Sequence, residues 1–215
     1  MIEVAPAQTR ALGIDVGAER LHCIVLEAGG RIVDARVLRA DDLDGVRALA
    51  ATVSATAIDA PAAPSTAPHA SDASLSAKFR SARCAEIGLG RLRRLWVPWV
   101  TPVAGPFPAW MAVGFSLFDA LQEHPNVVET YPHAVFRTLA AGPVRPKRAA
   151  DGIAARVALL EAAGVRESRL GMWSHDSLDA VAAAVTARGV LDRSAVGVTC
   201  GHDGSAIWLP EAPQA

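Results

Sequence analysis

Between residues 11 and 38 the apolar positions fall into three short runs, "LGIDV", "LHCIVLEA" and "IVDARVL", parted by the polar turn Gly17-Ala18-Glu19-Arg20 and by Gly29-Gly30. Runs this short, joined by turns this tight, predict an antiparallel meander of three strands, because parallel strands need a longer crossover. Asp41 or Asp42 can cap a following helix that carries Leu43, Val46, Leu49 and Ala50, and "TAIDAP" then reads as a fourth strand. The Ala, Ser and Pro-rich stretch from Pro61 to Ser76 reads as a mobile loop rather than a domain linker. Beyond it the pattern predicts a helix over Leu75–Trp96, and "VPWVTPVAGPFP", with four prolines, cannot continue it and reads as a rim or lid. An amphipathic helix near Ala109–Glu123 leads into "NVVETYP", a buried fifth strand, and helices follow. The strongest of them starts at "SHDSLDAVAAAVTARG", with Ser174 as N-cap and an end near Gly189, while "AVGVTC" and "SAIWLP" read as short closing strands.

Nothing along the chain repeats or shifts in composition, so 215 residues are expected to form one domain over 1–215. The expected architecture is α/β: a mixed five-stranded sheet, antiparallel meander at one side and parallel strands at the other, flanked by helices. With 51% hydrophobic and 20% charged residues and a formal net charge of -1, no broad basic field exists to hold duplex DNA by counterion release alone. A nucleic-acid partner would need local patches. "MIEVAPAQTR" lacks the basic and apolar regions of a signal peptide, and no apolar run approaches the roughly 18 residues that cross a bilayer, so a soluble, cytoplasmic protein without a membrane partner is expected. Cys23, Cys84 and Cys200 form no Cys-x-x-Cys pair and the six histidines are scattered, which predicts neither a disulfide framework nor a zinc site.

The unexpected feature is acid in apolar surroundings. Asp15 sits inside the first hydrophobic run, Asp59 ends the fourth strand, Glu129 lies in the fifth, and Asp176 and Asp179 start the late helix. A buried carboxylate is costly unless it is paired, hydrogen-bonded or bound to a metal. Strand ends that carry functional groups converge on one rim of an open α/β sheet, and a spacing of three puts Asp176 and Asp179 about 60° apart on one helix face. Ala180 and Ala183 let that helix approach the sheet closely. Together the acids can form an oxygen-rich pocket for Mg2+ or Mn2+. Singly, each has a structural reading: Asp15 bonding the Gly17 turn, Asp59 an Asx-turn before Pro61, Glu129 a wet strand end, Asp176 a first-turn acid favoured by the helix dipole.

Six stretches, "GIDVG", "AIDAP", "RSARCAEIGLGR", "VVETYPHAVF", "RPKRAADGIAARVALLEAAGV" and "HDSLDAVAAAVTA", run almost end to end. In that order they resemble the predicted nucleases of domain of unknown function 429, a branch of the ribonuclease H-like superfamily. The late motif is also similar to the acidic helix of Holliday-junction resolvases. The resemblance implies a ribonuclease H-like fold and a two-metal phosphodiesterase, and carries the superfamily's metal-binding acids over to Asp15, Asp59, Glu129 and Asp179, with Asp176 as a further ligand. Glu86 stands where family members tend to show aspartate.

Around these acids, Arg83 and Glu86 are candidates for the mouth of the site, or a salt bridge on a solvated helix face. Arg91, Arg93 and Arg94, with Lys147 and Arg148, are candidate phosphate contacts or solvated surface. His133 and His175 can serve as proton shuttles or as core and capping residues. Trp96, Trp99 and Trp110 can stack bases or pack the Pro-rich segment. Three functions compete: a metal-dependent nuclease acting on DNA or RNA, a noncatalytic binding module that keeps the acids for ion-dependent stability, and an actin-like phosphotransferase whose first hairpin is similar to "GIDVG". The last needs a second domain, and "TCGHDGS" is a poor second phosphate loop.

Overall fold

A computed structural model describes residues 9–147, 149 and 151–211, so the expectation for the first eight residues and the candidate Arg148 lie outside the described residues. The meander forms as the pattern requires. Strand β1 (Arg10–Val16) pairs antiparallel with β2 (Arg20–Glu27), and β2 with β3 (Ile32–Arg39). Gly17 N donates to Arg20 O at 2.9 Å, closing the first turn. Helix α1 (Leu43–Ala50) starts at Asp42, whose Oδ1 accepts from Gly45 N at 3.0 Å, and returns the chain to β4 (Ala55–Asp59), parallel to β1. Strand β5 (Val127–Glu129) adds in parallel beyond β4, giving the order β3-β2-β1-β4-β5. This is the mixed five-stranded sheet, antiparallel at one side and parallel at the other, expected from the sequence.

The expected long helix over Leu75–Trp96 is two pieces, α2 (Ala77–Arg80) and α3 (Cys84–Arg93). The break has a physical cause: Arg83 is extended, at φ -75° and ψ 161°, and its side chain turns inward to buried acids. Helix α4 (Ala109–Ala120) precedes β5, and α5 (Pro132–Leu139), α6 (Gly152–Ala162) and α7 (His175–Leu191) follow it. Ser174 caps α7, its side chain accepting from Ser177 N at 3.1 Å. The closing strands β6 (Ala195–Val198) and β7 (Ile207–Pro210) pair as a two-stranded antiparallel ribbon, and Trp208 of β7 makes a parallel bridge to Thr130 just after β5. The loop expected to be mobile is fastened, with Ser65 N donating to Pro102 O at 3.0 Å and Asp72 paired to Arg91 at 2.8 Å.

The strands' period of two assigns two cores. Leu12, Ile14 and Val16 of β1 pack with Val46 and Leu49 of α1 and Leu117 of α4 on one face. On the other face Ala11, Ala55 and Ala57 are small, and Ala183 and Ala187 of α7 lie against them. Contact is closest at Gly13, where a Cβ would collide with the backbone of Ala180 and Ala184. Helix α7 is buried on nearly all sides from Leu178 to Ala187 because α5, α6 and the β6–β7 ribbon cover its outer face. Among the described residues no helix is long and apolar enough to cross a membrane.

Candidate metal centre

Odd positions of β1 face α7, so Asp15 falls on that side. Its partner in the parallel ladder is Asp59, the last residue of β4. Both strands end beneath the first turns of α7, which supplies Asp176 and Asp179. The four carboxylates line one cavity of about 560 Å³, together with His22, Trp99, Trp110, Tyr131 and Lys147. His175, Asp176 and Asp179 bring ligand atoms within 4.8 Å of one another. Lys147 Nζ stands 3.1 Å from Asp179 Oδ2, and His175 Nδ1 2.6 Å from Asp176 Oδ1.

Crowding of acids in a poorly solvated place opposes their ionisation. Burial, then repulsion from Asp179 and Asp176, pushes the Asp15 carboxyl up to about 8. Asp59 is raised well above the usual carboxylate range by burial and then by Asp15 and Asp179. Asp179 is raised by burial, against which Lys147 acts through its charge and its hydrogen bond. Burial, with Asp59 and Asp179 behind it, pushes Tyr131 up to about 12, so its hydroxyl keeps its proton. The donor set fits a hard divalent cation. Its ligand atoms are carboxylate oxygens, and their unrelieved repulsion is what a bound cation would remove.

Glu129 is not brought into this cavity. Its oxygens accept from Arg83 Nη1 and Nη2, both at 2.7 Å, and Oε2 also accepts from Ala62 N at 3.0 Å. Arg83 Nε reaches Glu86 Oε1 at 3.2 Å, and Glu86 accepts in turn from Thr101 N and its hydroxyl. The Arg83–Glu86 pair expected on a solvated face therefore exists but is buried, with Arg83 2% and Glu86 0% exposed. Arg83 is thus held between Glu86 and Glu129, and it does not line the cavity of the aspartates. The other arginines also lie apart from the carboxylates. Arg91 is held by Asp72 and Ser74, Arg93 lines a separate cavity with Arg137 and Thr138, and Arg94 is the left-handed cap of α3 at φ 52°. Lys147 is the sequence-predicted cation that lines the centre.

Trp99 stands edge-on to both Trp110, at 5.7 Å, and Tyr131, at 4.7 Å, placing an aromatic wall on the cavity; Trp96 packs on Phe79 instead. His133 lines an adjoining cavity with Arg156 and Asp59. Sequence reasoning missed several lining residues, among them Glu19 beside Arg20 in the first turn. His22 sits opposite Asp15 in the β1–β2 register, its Nδ1 3.1 Å from Ser177 Oγ; Tyr131 was read only as an apolar strand residue; Arg20 sits at the rim as part of the first turn. Exact strand register was the one signal that pointed to His22.

The expectation of no disulfide is corrected: Cys84, the first residue of α3, is bonded to Cys200 after β6, while Cys23 is free and buried. The two are separated by 116 positions, so no spacing motif joins them.

No curated protein matches the chain. A solved structure, "T. thermophilus RuvC in complex with Holliday junction substrate", is 15% identical, with a TM-score of 0.46 over 94% of this chain and 99% of that one. Residues 104–203, just under half of the chain and including Lys147, Asp176 and Asp179, match the family described as "Protein of unknown function (DUF429)".

Proposed function

We propose that the protein is a metal-dependent nuclease that hydrolyses phosphodiester bonds at the cavity of Asp15, Asp59, Asp176 and Asp179. The observation that carries this reading is the pairing of Asp15 with Asp59 in adjacent parallel strands, beneath the helix face that bears the other two acids. Mg2+ or Mn2+, held by these four residues, would supply charge neutralisation and an activated water. The protein's own groups do the rest. Asp15 and Asp59 are fixed by the ladder, and Asp179 is aimed by the packing of α7 on Gly13. Lys147, bonded to Asp179 yet half-exposed, offers its ammonium to a phosphate. Trp99 and Trp110 offer ring faces and edges to unpaired bases.

A wider cavity of about 780 Å³ shares Ala18, Glu19 and Arg20 with the acidic one and continues past Arg39 and Ser116. Such a groove suits a polymer better than a small phosphate ester. Arg20 at the junction replaces Arg91, Arg93 and Arg94 as the proposed backbone contact, and Glu129 and Arg83 are proposed as bracing residues only.

The test is cleavage of labelled single strands, duplexes and branched junctions of DNA and RNA with Mg2+ or Mn2+. Wild type should cut at least one of them, and Asp15→Asn and Asp179→Asn should lose the activity while retaining the fold. Metal binding without cleavage of any substrate would replace this reading with the noncatalytic module.

A further inference from the structure

Outside the acidic centre, His69, Cys84 and Cys200 converge. The His69 Nε2 atom lies 3.0 Å from Cys200 Sγ and 3.5 Å from Cys84 Sγ, and the three ligand atoms all fall within 4.8 Å of one another. His69 and Cys84 are buried and Cys200 is partly exposed. A disulfide alone has no use for a buried imidazole against both sulfurs. We propose that, when the Cys84–Cys200 bond is reduced, these three side chains form a second metal site, of nitrogen and sulfur donors, that takes a borderline-soft divalent ion such as Zn2+.

The backbone holds the ligands together without the sulfur–sulfur bond. Cys200 N donates to Cys84 O at 3.2 Å, and the tail lies so close to α3 that a Cβ at Gly88 would stand 2.6 Å from the Thr199 carbonyl carbon. Asp203 Oδ2 accepts from Cys84 N at 3.0 Å and Ser205 Oγ from Ala85 N at 2.9 Å, which fastens the following loop to the same helix end. Once reduced, the sulfurs can part by rotation about χ1 to reach an ion at about 2.3 Å. Cys84 opens α3, and its sulfur accepts from His202 N at 3.2 Å, which holds it in place on the side facing His69. The fourth position falls to water or to the His202 imidazole, whose ring centre is 5.7 Å from that of His69.

The chemistry balances with an external dithiol. It gives two electrons and two protons to the disulfide, leaving two thiols here and a disulfide in the donor; the ion then displaces the two thiol protons into solvent. The bound ion would pin the 61–76 loop, the start of α3 and the tail at one point, next to Arg83, which grips Glu129.

Cobalt(II) is the probe, because its thiolate charge-transfer absorption reports sulfur ligation. Reduced wild-type protein should show that absorption with one equivalent of Co2+, and Zn2+ should bleach it. The air-oxidised protein, in which Cys84 and Cys200 are no longer thiols and the buried Cys23 is the free thiol, should not show it, which supplies a control without any substitution. Cys200→Ser should abolish the band, His69→Ala should weaken cobalt affinity at least tenfold, and Asp15→Asn with Asp179→Asn should leave the band intact. Cobalt binding to the reduced protein without the charge-transfer band, or a band that persists after oxidation, would overturn the proposal.

Discussion

Gly13 of β1 and Ala180 of α7 meet backbone to backbone, with no room for even a methyl group between them. That contact sets the height of the helix over the sheet, and two residues further along the strand it decides how far Asp15 stands from the acids of α7. A Gly13→Ala substitution must push α7 outward at the one point where side chains cannot yield. Overpacking of this kind costs about 1–3 kcal/mol, so a lowered urea midpoint is expected, accompanied by weaker Mn2+ binding in calorimetry. Unchanged metal affinity in a folded Gly13→Ala protein would show that the helix height does not govern the centre.

The metal-free protein should lose stability as pH rises. The native state holds Asp15's proton up to about 8, whereas the unfolded chain releases it near 3.8. Its contribution is therefore complete below the unfolded value, declines across that window and is gone above it; Asp59 and Asp179 are shifted in the same direction and steepen the decline. Urea titrations across the window should show the slope in wild type and a shallower one in Asp15→Asn, which should also be the more stable protein at neutral pH. Mg2+ or Mn2+ at a hundredfold excess over its dissociation constant should restore roughly 2.7 kcal/mol to wild type. A flat profile in wild type would remove the argument that the acids repel one another.

The fold was legible in the sequence because its signals are local. Three short apolar runs with tight turns specify a meander, and Ser174 ahead of an alanine-rich run specifies the helix that follows. Asp15, Asp59, Asp176 and Asp179 were legible for a related reason, since acids in apolar segments are conspicuous without knowledge of any contact. Glu129 was conspicuous in the same way, but a sequence does not show that Arg83, 46 residues earlier, reaches both of its oxygens. The break between α2 and α3 was hidden by the same contact, because the arginine leaves the helix to make it. His69, Cys84 and Cys200 come from a loop, a helix start and the tail, so no spacing rule could join them.

Arg83 pairs with two buried carboxylates, Glu86 and Glu129, and its removal should be felt mainly in stability. Arg83→Met keeps the volume but leaves Glu86 and Glu129 facing each other; breaking a buried pair by deleting one partner costs about 3–5 kcal/mol. Thermal unfolding should move down accordingly, and Glu129→Gln, which keeps one acceptor oxygen for Arg83 and leaves no unpaired buried carboxylate at that position, should cost less. Equal losses for the two variants would mean that the charge on Arg83 contributes little beyond packing.

Lys147 lowers the ionisation cost of Asp15, Asp59 and Asp179 together, and it also occupies an oxygen of Asp179. Those two effects oppose each other when a metal binds. At low pH, removing the lysine leaves the carboxyls more firmly protonated, so a cation must displace more protons. At high pH the acids are ionised in either protein, and the cation no longer competes with an ammonium for Asp179. Lys147→Met should therefore bind Mn2+ more weakly than wild type on the acid side and more tightly on the alkaline side, giving a steeper pH dependence. The lysine side chain is 42% exposed, so solvent screening holds its interaction to about 0.2–1 kcal/mol and the difference at either extreme to a few-fold in affinity. Calorimetric titrations on the two sides of the Asp15 transition measure it directly. If the two proteins' affinities run parallel with pH, Lys147 is not coupled to the acids, and its remaining role is contact with substrate.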